Sequence, residues 1–334
     1  MSYQENAVAR KTMMFTITLV ATLAAGQAEC QQFAYVSNEG SATVSVVDTA
    51  TDKVRYTIKV GDKPAGIVVS PDRSRLYLSD RTGVLIEHDL YDEKDSGRVA
   101  LGKSPQAFSL SPDGKILSIF VKDHDALALV EAATLKVVKE IPMGGRDPEQ
   151  TVFSPDGRWI YASPQEGDSI DVIDVAKGAL AKPIKVGDRP GAIAFLRDAS
   201  RAYVTTDRAD EVVVIDLRRQ EVVARVKTAA GPNGVTVDPN GKRVFVSAAR
   251  AAMVQVLDTT SNKIVADVKV GERPTGNMAL TKDGSKLYVA CGGDDAVSVI
   301  DTSTNQQVAR IAVGSLPSGV VITDPSVPPR PERW

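Results

Sequence analysis

A proline recurs along this chain at almost fixed spacing, inside a Val-Gly-x-x-Pro element or a relative of it. The copies fall at Pro64, Pro105, Pro148, Pro190, Pro232, Pro274 and Pro317, with gaps of 41, 43, 42, 42, 42 and 43 residues. Self-similarity at such a period determines architecture before any local propensity does, because each unit must bury its apolar faces against its neighbours. Two further markers keep the same beat. A Tyr-Val-like strand opens at Tyr35, Tyr77, Leu117, Tyr161, Tyr203, Phe245 and Tyr288, and a strand ending in an acid closes at Asp48, Asp89, Glu131, Asp174, Asp216, Asp258 and Asp301. Three markers each give seven copies.

Within each unit, short β-branched runs alternate with Ser-Pro-Asp-Gly turns or their relatives, such as Ser111-Pro112-Asp113-Gly114 and Ser154-Pro155-Asp156-Gly157. Such runs read as strands and such clusters as turns. Four strands and their turns fill one repeat, which is the length of a propeller blade, whereas helical repeats of similar period need a 3.6-residue apolar pattern and long stretches free of Pro and Gly. The expected fold is therefore all-β, a seven-bladed β-propeller of four-stranded antiparallel blades. The ends are out of phase: the repeats begin at Phe33 on a second-strand sequence and finish with Gly319-Val320-Val321-Ile322, a first-strand sequence. The C-terminal strand is expected to join the first blade and close the ring, which removes the exposed edges an open array would keep.

The domain reading follows. Arg10 and Lys11, the apolar run Met13 to Ala25 and the exit Gly26-Gln27-Ala28 have the three parts of a secretory signal, so residues 1–28 are expected to be an export leader. The run is shorter than the roughly 20 residues that span a bilayer. The residue before Cys30 is Glu29 rather than a small one, which favours a soluble periplasmic or secreted product over a lipid-anchored one. Residues 29–324 form the propeller and 325–334 a proline-rich tail. Cys30 and Cys291 are the two cysteines; a bridge between them is open in an oxidising compartment and depends on tertiary geometry.

The segment Tyr35-Val36-Ser37-Asn38, the Val-x-Val-Ile-Asp strands and the Val-Gly-x-x-Pro-x-Gly elements resemble the YVTN family of β-propeller repeat proteins over essentially the whole mature chain. The resemblance implies a bacterial or archaeal protein exported or held at the cell surface, and for some members an association with catabolism that depends on pyrroloquinoline quinone. Blade 3, with Leu117-Ser118-Ile119-Phe120, and blade 2, ending in Leu85-Ile86-Glu87-His88-Asp89, depart from the pattern.

For function, the balance of 40 basic and 42 acidic residues excludes the basic footprint of a dedicated nucleic-acid binder. Two histidines, His88 and His124, and no paired cysteines leave little for a metal centre, and no cofactor is expected. The seven strand-end acids are too regular for one catalytic constellation and are expected to bond turn amides. The Ser-Pro-Asp-Gly elements lack phosphate-loop or calcium-loop spacing and read as turns, and Asp123-His124-Asp125 reads as a solvated loop.

The loops between blades surround the channel mouth of a propeller. Here they carry Lys63, Arg146, Arg189 and Arg273, with Gln106, Glu149, Asn233 and Asn277 near them in sequence. Converging cations would favour an anionic ligand. Glu39, Asp80, Arg81, Asp123, Glu166, Asp168, Asp207, Arg208, Asp294 and Asp295 are expected on the same face. The leading expectation is a monomeric, non-enzymatic binding module for a protein partner or a small anionic ligand, placed by the resemblance near quinoprotein catabolism. The alternative is a lactonase-type hydrolase using Glu149 or Glu166 at the basic mouth. Direct quinone-dependent oxidation is disfavoured, since Trp159 and Trp334 are the only tryptophans and the chain is short for such enzymes.

Overall fold

The computed structural model describes residues 32–92, 94–102, 108–144, 148–164 and 167–323. The expected leader, Cys30, the C-terminal tail, Gln106, Arg146 and Glu166 lie outside the described residues. Among the described residues, no helix is long and apolar enough to cross a membrane.

Seven antiparallel sheets follow one another in chain order, each running from an inner strand at the channel to an outer strand at the rim. Blade 2 shows the plan: Pro64–Val69, Arg75–Asp80, Val84–Asp89 and Lys94–Ala100 pair in that order. Blade 1 takes its inner strand from the far end of the chain. Pro317–Ile322 pairs with Phe33–Asn38, setting Ala34 opposite Ile322 and Ser37 opposite Gly319. The expected ring closure is therefore present. In blade 4 the outer strand is broken into Ala179–Leu180 and Ile184–Lys185, with Pro183 in the gap. Proline lacks the N–H that a continuous ladder requires there.

The middle strands are buried on both faces, and this explains their unbroken apolar reading. In Thr43–Asp48, Val44 and Val46 pack toward blade 2 while Val47 packs toward blade 7. Seven apolar clusters result, one between each adjacent pair of blades, and none belongs to a single blade. Outer strands alternate exposed and half-buried residues until a penultimate apolar residue, such as Ile58, Val226 or Val268, turns inward. Blade 2 breaks the pattern inside the core. His88 occupies the place of Val47, Ile215 and Ile300, is 2% exposed, and keeps Nδ1 3.0 Å from Asp95 Oδ1 while Nε2 has no partner.

Polar staples reinforce the apolar clusters at the end of the blades away from the channel mouth. The first residue of the second strand reaches the turn of the next blade: Arg201 donates to the Thr259 carbonyl at 3.0 Å, Arg243 to Thr302, and Lys286 to Thr49 at 2.9 Å. Two of the repeat tyrosines do the same, Tyr77 to the Ala132 carbonyl and Tyr288 to Thr49 and Asp52, while the buried Tyr203 hydroxyl makes no such bond among the described residues. In those blades the tyrosine is used both as an apolar core residue and as a hydrogen-bond donor.

The strand-end aspartates bond turn amides, as their regularity implied, while Glu131 of blade 3 takes the Thr134 hydroxyl instead. Asp216 accepts from the N–H groups of Arg218 and Arg219, Asp258 from Ser261, and Asp301 from Ser303 and Thr304 at 2.9 Å each. The Ser303 hydroxyl and these amides hold the Asp301 carboxyl down at about 2, from its ordinary 3.8. A group depressed on folding contributes stability above its unfolded value and loses it as pH falls through the folded value. Asp301→Asn should therefore flatten the loss of Tm between about pH 4 and pH 2 relative to the wild type. Parallel acid-melting curves would contradict this assignment.

Candidate functional site

The loops at one end of the channel are held together by a repeated hydrogen bond. After each second strand, an amide donates back to the residue before the repeat proline: Arg81 to Lys63 at 3.2 Å, Asp207 to Arg189 at 3.3 Å, Gly292 to Arg273 at 3.1 Å and Glu39 to Leu316 at 3.0 Å. Two loop families thus form a single face. The residue before the proline has a left-handed backbone at every described repeat of this kind, with φ of +52° at Lys63, +56° at Arg189, +50° at Arg273 and +51° at Leu316. Blade 6 places Gly231 there, the residue that adopts this region without strain. At the described repeats the side chains before the prolines are thereby aimed outward, and the prolines themselves are buried.

Three clefts run together across this face. The largest, about 930 Å³, lies between blades 6, 7, 1 and 2 and is lined in part by Arg81, Asn233, Arg273 and Leu316. A second, about 550 Å³, shares Glu39, Arg81 and Leu316 with it and extends to Lys63. A third, about 190 Å³, shares Asn233 and Arg250 and extends to Arg189 and Glu149. Lys63, Glu149, Arg189, Asn233 and Arg273 therefore border connected clefts. Asn277 borders none of the three; it stands exposed on the inner strand of blade 7.

The charges at this face differ in how far they are already neutralised. Arg189 lies 3.5 Å from Asp207, which also binds Arg250 at 2.7 Å, and Arg250 reaches Asp210 at 2.8 Å. Arg81 pairs with Glu39 at 2.6 Å. Asp80 is a turn acid, taking the amides of Thr82 and Val84. Lys63 and Arg273 are exposed and have no side-chain partner among the described residues. Among the described residues, the unmatched positive charge of the mouth therefore sits on its blade 7 to blade 2 side. Among the described residues, no group of His, Cys, Asp and Glu could hold a metal ion. Asp123-His124-Asp125 forms a turn in which His124 lies 3.1 Å from Glu140.

Three residues have roles that sequence order concealed. Asn233 spans two blades: Nδ2 donates to the Pro274 carbonyl at 3.1 Å, and Oδ1 accepts from Ser247 at 2.8 Å. Its amide is engaged in joining blades 6 and 7. Gln150, absent from the sequence-derived set, is a second latch, accepting the Ile193 amide of blade 5 at 2.6 Å. Its position two residues after the repeat proline was the available signal. Leu316, also absent from that set, is 46% exposed at the junction of the two larger clefts. Its signal was chemical: it stands where Lys63, Arg189 and Arg273 stand in other repeats.

The fold and this face define a closed seven-bladed propeller with a polar, cleft-bearing loop surface. The family model described as a YNCE-like beta-propeller matches residues 79–232 and again 166–284, and the chain belongs to that family. No curated protein matches the sequence. Among solved structures, a functionally unknown protein from Desulfotomaculum acetoxidans DSM 771 is similar at 18% identity, with a TM-score of 0.78 over 88% of this chain and 99% of that one. Kuenenia stuttgartiensis hydrazine synthase is similar at 22% identity, with a TM-score of 0.69 over 79% of this chain and 96% of that one. The dihydro-heme d1 dehydrogenase NirN, solved in complex with DHE, is similar at 18% identity, with a TM-score of 0.67 over 86% of this chain and 74% of that one. At these identities the likeness is one of fold.

Proposed function

We propose that this propeller is a non-enzymatic binding module that takes an anionic ligand, or an anionic group of a protein partner, at the mouth of its channel. The observation that carries this reading is a pair of cations, Lys63 and Arg273, with no side-chain partner among the described residues, on connected clefts of one loop face. Other described cations of that mouth are paired in part or fully, so the two that are not remain available to a ligand. The described chain starts at Gln32 and ends at Thr323, where Phe33 and Thr323 bond each other at the far end of the channel. We place the mature protein outside the cytoplasm on the strength of residues 1–28. An accessory place beside quinone-dependent oxidation is the narrower form of this reading and rests on the YVTN resemblance.

The test is calorimetric titration of the chain from Glu29 with phosphate and with small mono- and dicarboxylates at low salt. Saturable binding is expected, weakening as ionic strength rises because the contact is an exposed charge pair. The double substitution Lys63→Gly/Arg273→Gly should weaken it by at least about tenfold. Glycine is the right replacement, since it suits a left-handed backbone and stands at the equivalent Gly231. Absence of binding would refute the reading. Turnover of a lactone or ester that is lost in Glu149→Gln would replace it with hydrolysis.

A further inference from the structure

The larger clefts meet at a residue that folding alone does not explain. Leu316 is a bulky apolar side chain, 46% exposed, on a backbone with φ of +51°. Left-handed backbone is unfavourable for any residue with a Cβ, and a leucine left half exposed gains only part of what full burial would give. The conformation is nevertheless fixed on both sides: the Leu316 amide donates to Asp295 Oδ1 at 2.8 Å, and its carbonyl accepts from Glu39 at 3.0 Å. Asp295 belongs to blade 7 and Glu39 to blade 1, so two blades hold the strained residue in place. An exposed apolar side chain presented rigidly from a strained backbone is a pre-organised contact.

Its neighbours around the ring specify what it contacts. The residues in the same structural position on either side are Arg273 in blade 7 and Lys63 in blade 2, the two cations of the mouth without a side-chain partner among the described residues. Both lie on clefts that Leu316 also lines. The order around the mouth is cation, apolar, cation. We infer that this sector binds a small α,ω-dianion with an apolar middle, such as an aliphatic dicarboxylate, its chain lying on Leu316 and its two ends at Arg273 and Lys63. This deepens the anion-binding reading above and rests on it. Monoanions would engage one end only, and short dianions would miss the leucine.

Suberate, succinate and octanoate separate these contributions when titrated into the chain from Glu29 and into Leu316→Gly. The variant relieves the left-handed strain while adding freedom to the unfolded chain, so its Tm should stay within about 3 °C of wild type. Suberate is expected to bind the wild type at least about tenfold more tightly than either succinate or octanoate, and Leu316→Gly should weaken suberate by roughly fivefold with succinate unchanged. Equal affinity for suberate and succinate, with no effect of Leu316→Gly, would overturn the inference while leaving anion binding intact. Failure of all three to bind would overturn the anion reading, and this inference with it.

Discussion

A chain ended after Leu316 will not give a cooperative unfolding transition. The missing segment supplies the inner strand of blade 1, which pairs with Phe33–Asn38 across most of the chain length. Val320 is 3% exposed and packs with Val36, Val47, Tyr288 and Ala290 in the cluster between blades 7 and 1. Val321 and Ile322 pack on either side of the same strand. Losing those three side chains, the ladder and the closed ring removes roughly 5–10 kcal/mol, which equals the whole stability of an ordinary domain. The remaining chain would also expose an unpaired inner edge, a template for aggregation. Circular dichroism melting and gel filtration would check this. A truncated monomer that melts near the wild-type temperature would show that six complete blades hold without closure.

The second large effect concerns the join between blades 6 and 7. The inner strand of blade 7, Pro274–Leu280, has one residue more than its counterparts in blades 1, 2, 4, 5 and 6. Its register jumps from Pro274 opposite Cys291 to Met278 opposite Val289. The resulting bulge brings Gly276 against the backbone of blade 6, where an added methyl would lie 2.6 Å from the Asn233 carbonyl oxygen. A methyl on Gly234 would lie 2.8 Å from the Gly276 carbonyl carbon and 2.5 Å from Ser247 Oγ. These obstacles are chiefly backbone and cannot swing aside as a long side chain can. Gly276→Ala should therefore lose about 2–4 kcal/mol. It should also disturb the Asn233 latch to Pro274.

Gly157→Ala separates space from conformation. That glycine has φ of +70°, but its nearest obstacle, Pro112 Cδ, stands at an ordinary 3.5 Å. It should lose only about 1 kcal/mol, the strain of a left-handed alanine. Denaturant midpoints for the two variants should differ clearly. Equal losses would mean that the close approach at Gly276 relaxes easily.

The pairing between blades is where reading from the chain stops. The extra residue of blade 7 is visible as a spacing of seven rather than six between Pro274 and Thr281. That it becomes a bulge against blade 6, with Asn277 left exposed on the inner strand, is not. Similarly, Arg189 and Arg273 occupy the same place in their repeats, yet Arg189 meets Asp207 while Arg273 meets no side-chain partner among the described residues. Equivalent positions in a repeat share backbone geometry and differ in the neighbours the next blade happens to bring.

Architecture was determined by the sequence alone: seven blades, four strands in each, and a first blade completed from the C-terminus. Those features follow from patterns within one repeat, where residues a few positions apart set strand, turn and face, and a period can be counted. The position of the loop face was also legible, because it depends on the same local turns. Only the tertiary structure decided that Asn233 and Gln150 join blades, that Lys63 and Arg273 lack a side-chain partner among the described residues, and that Leu316 stands exposed between them. Each of these depends on side chains brought together from different blades or from loops well separated along the chain. Side-chain chemistry at one such position does not reveal what closure of the ring will place opposite it.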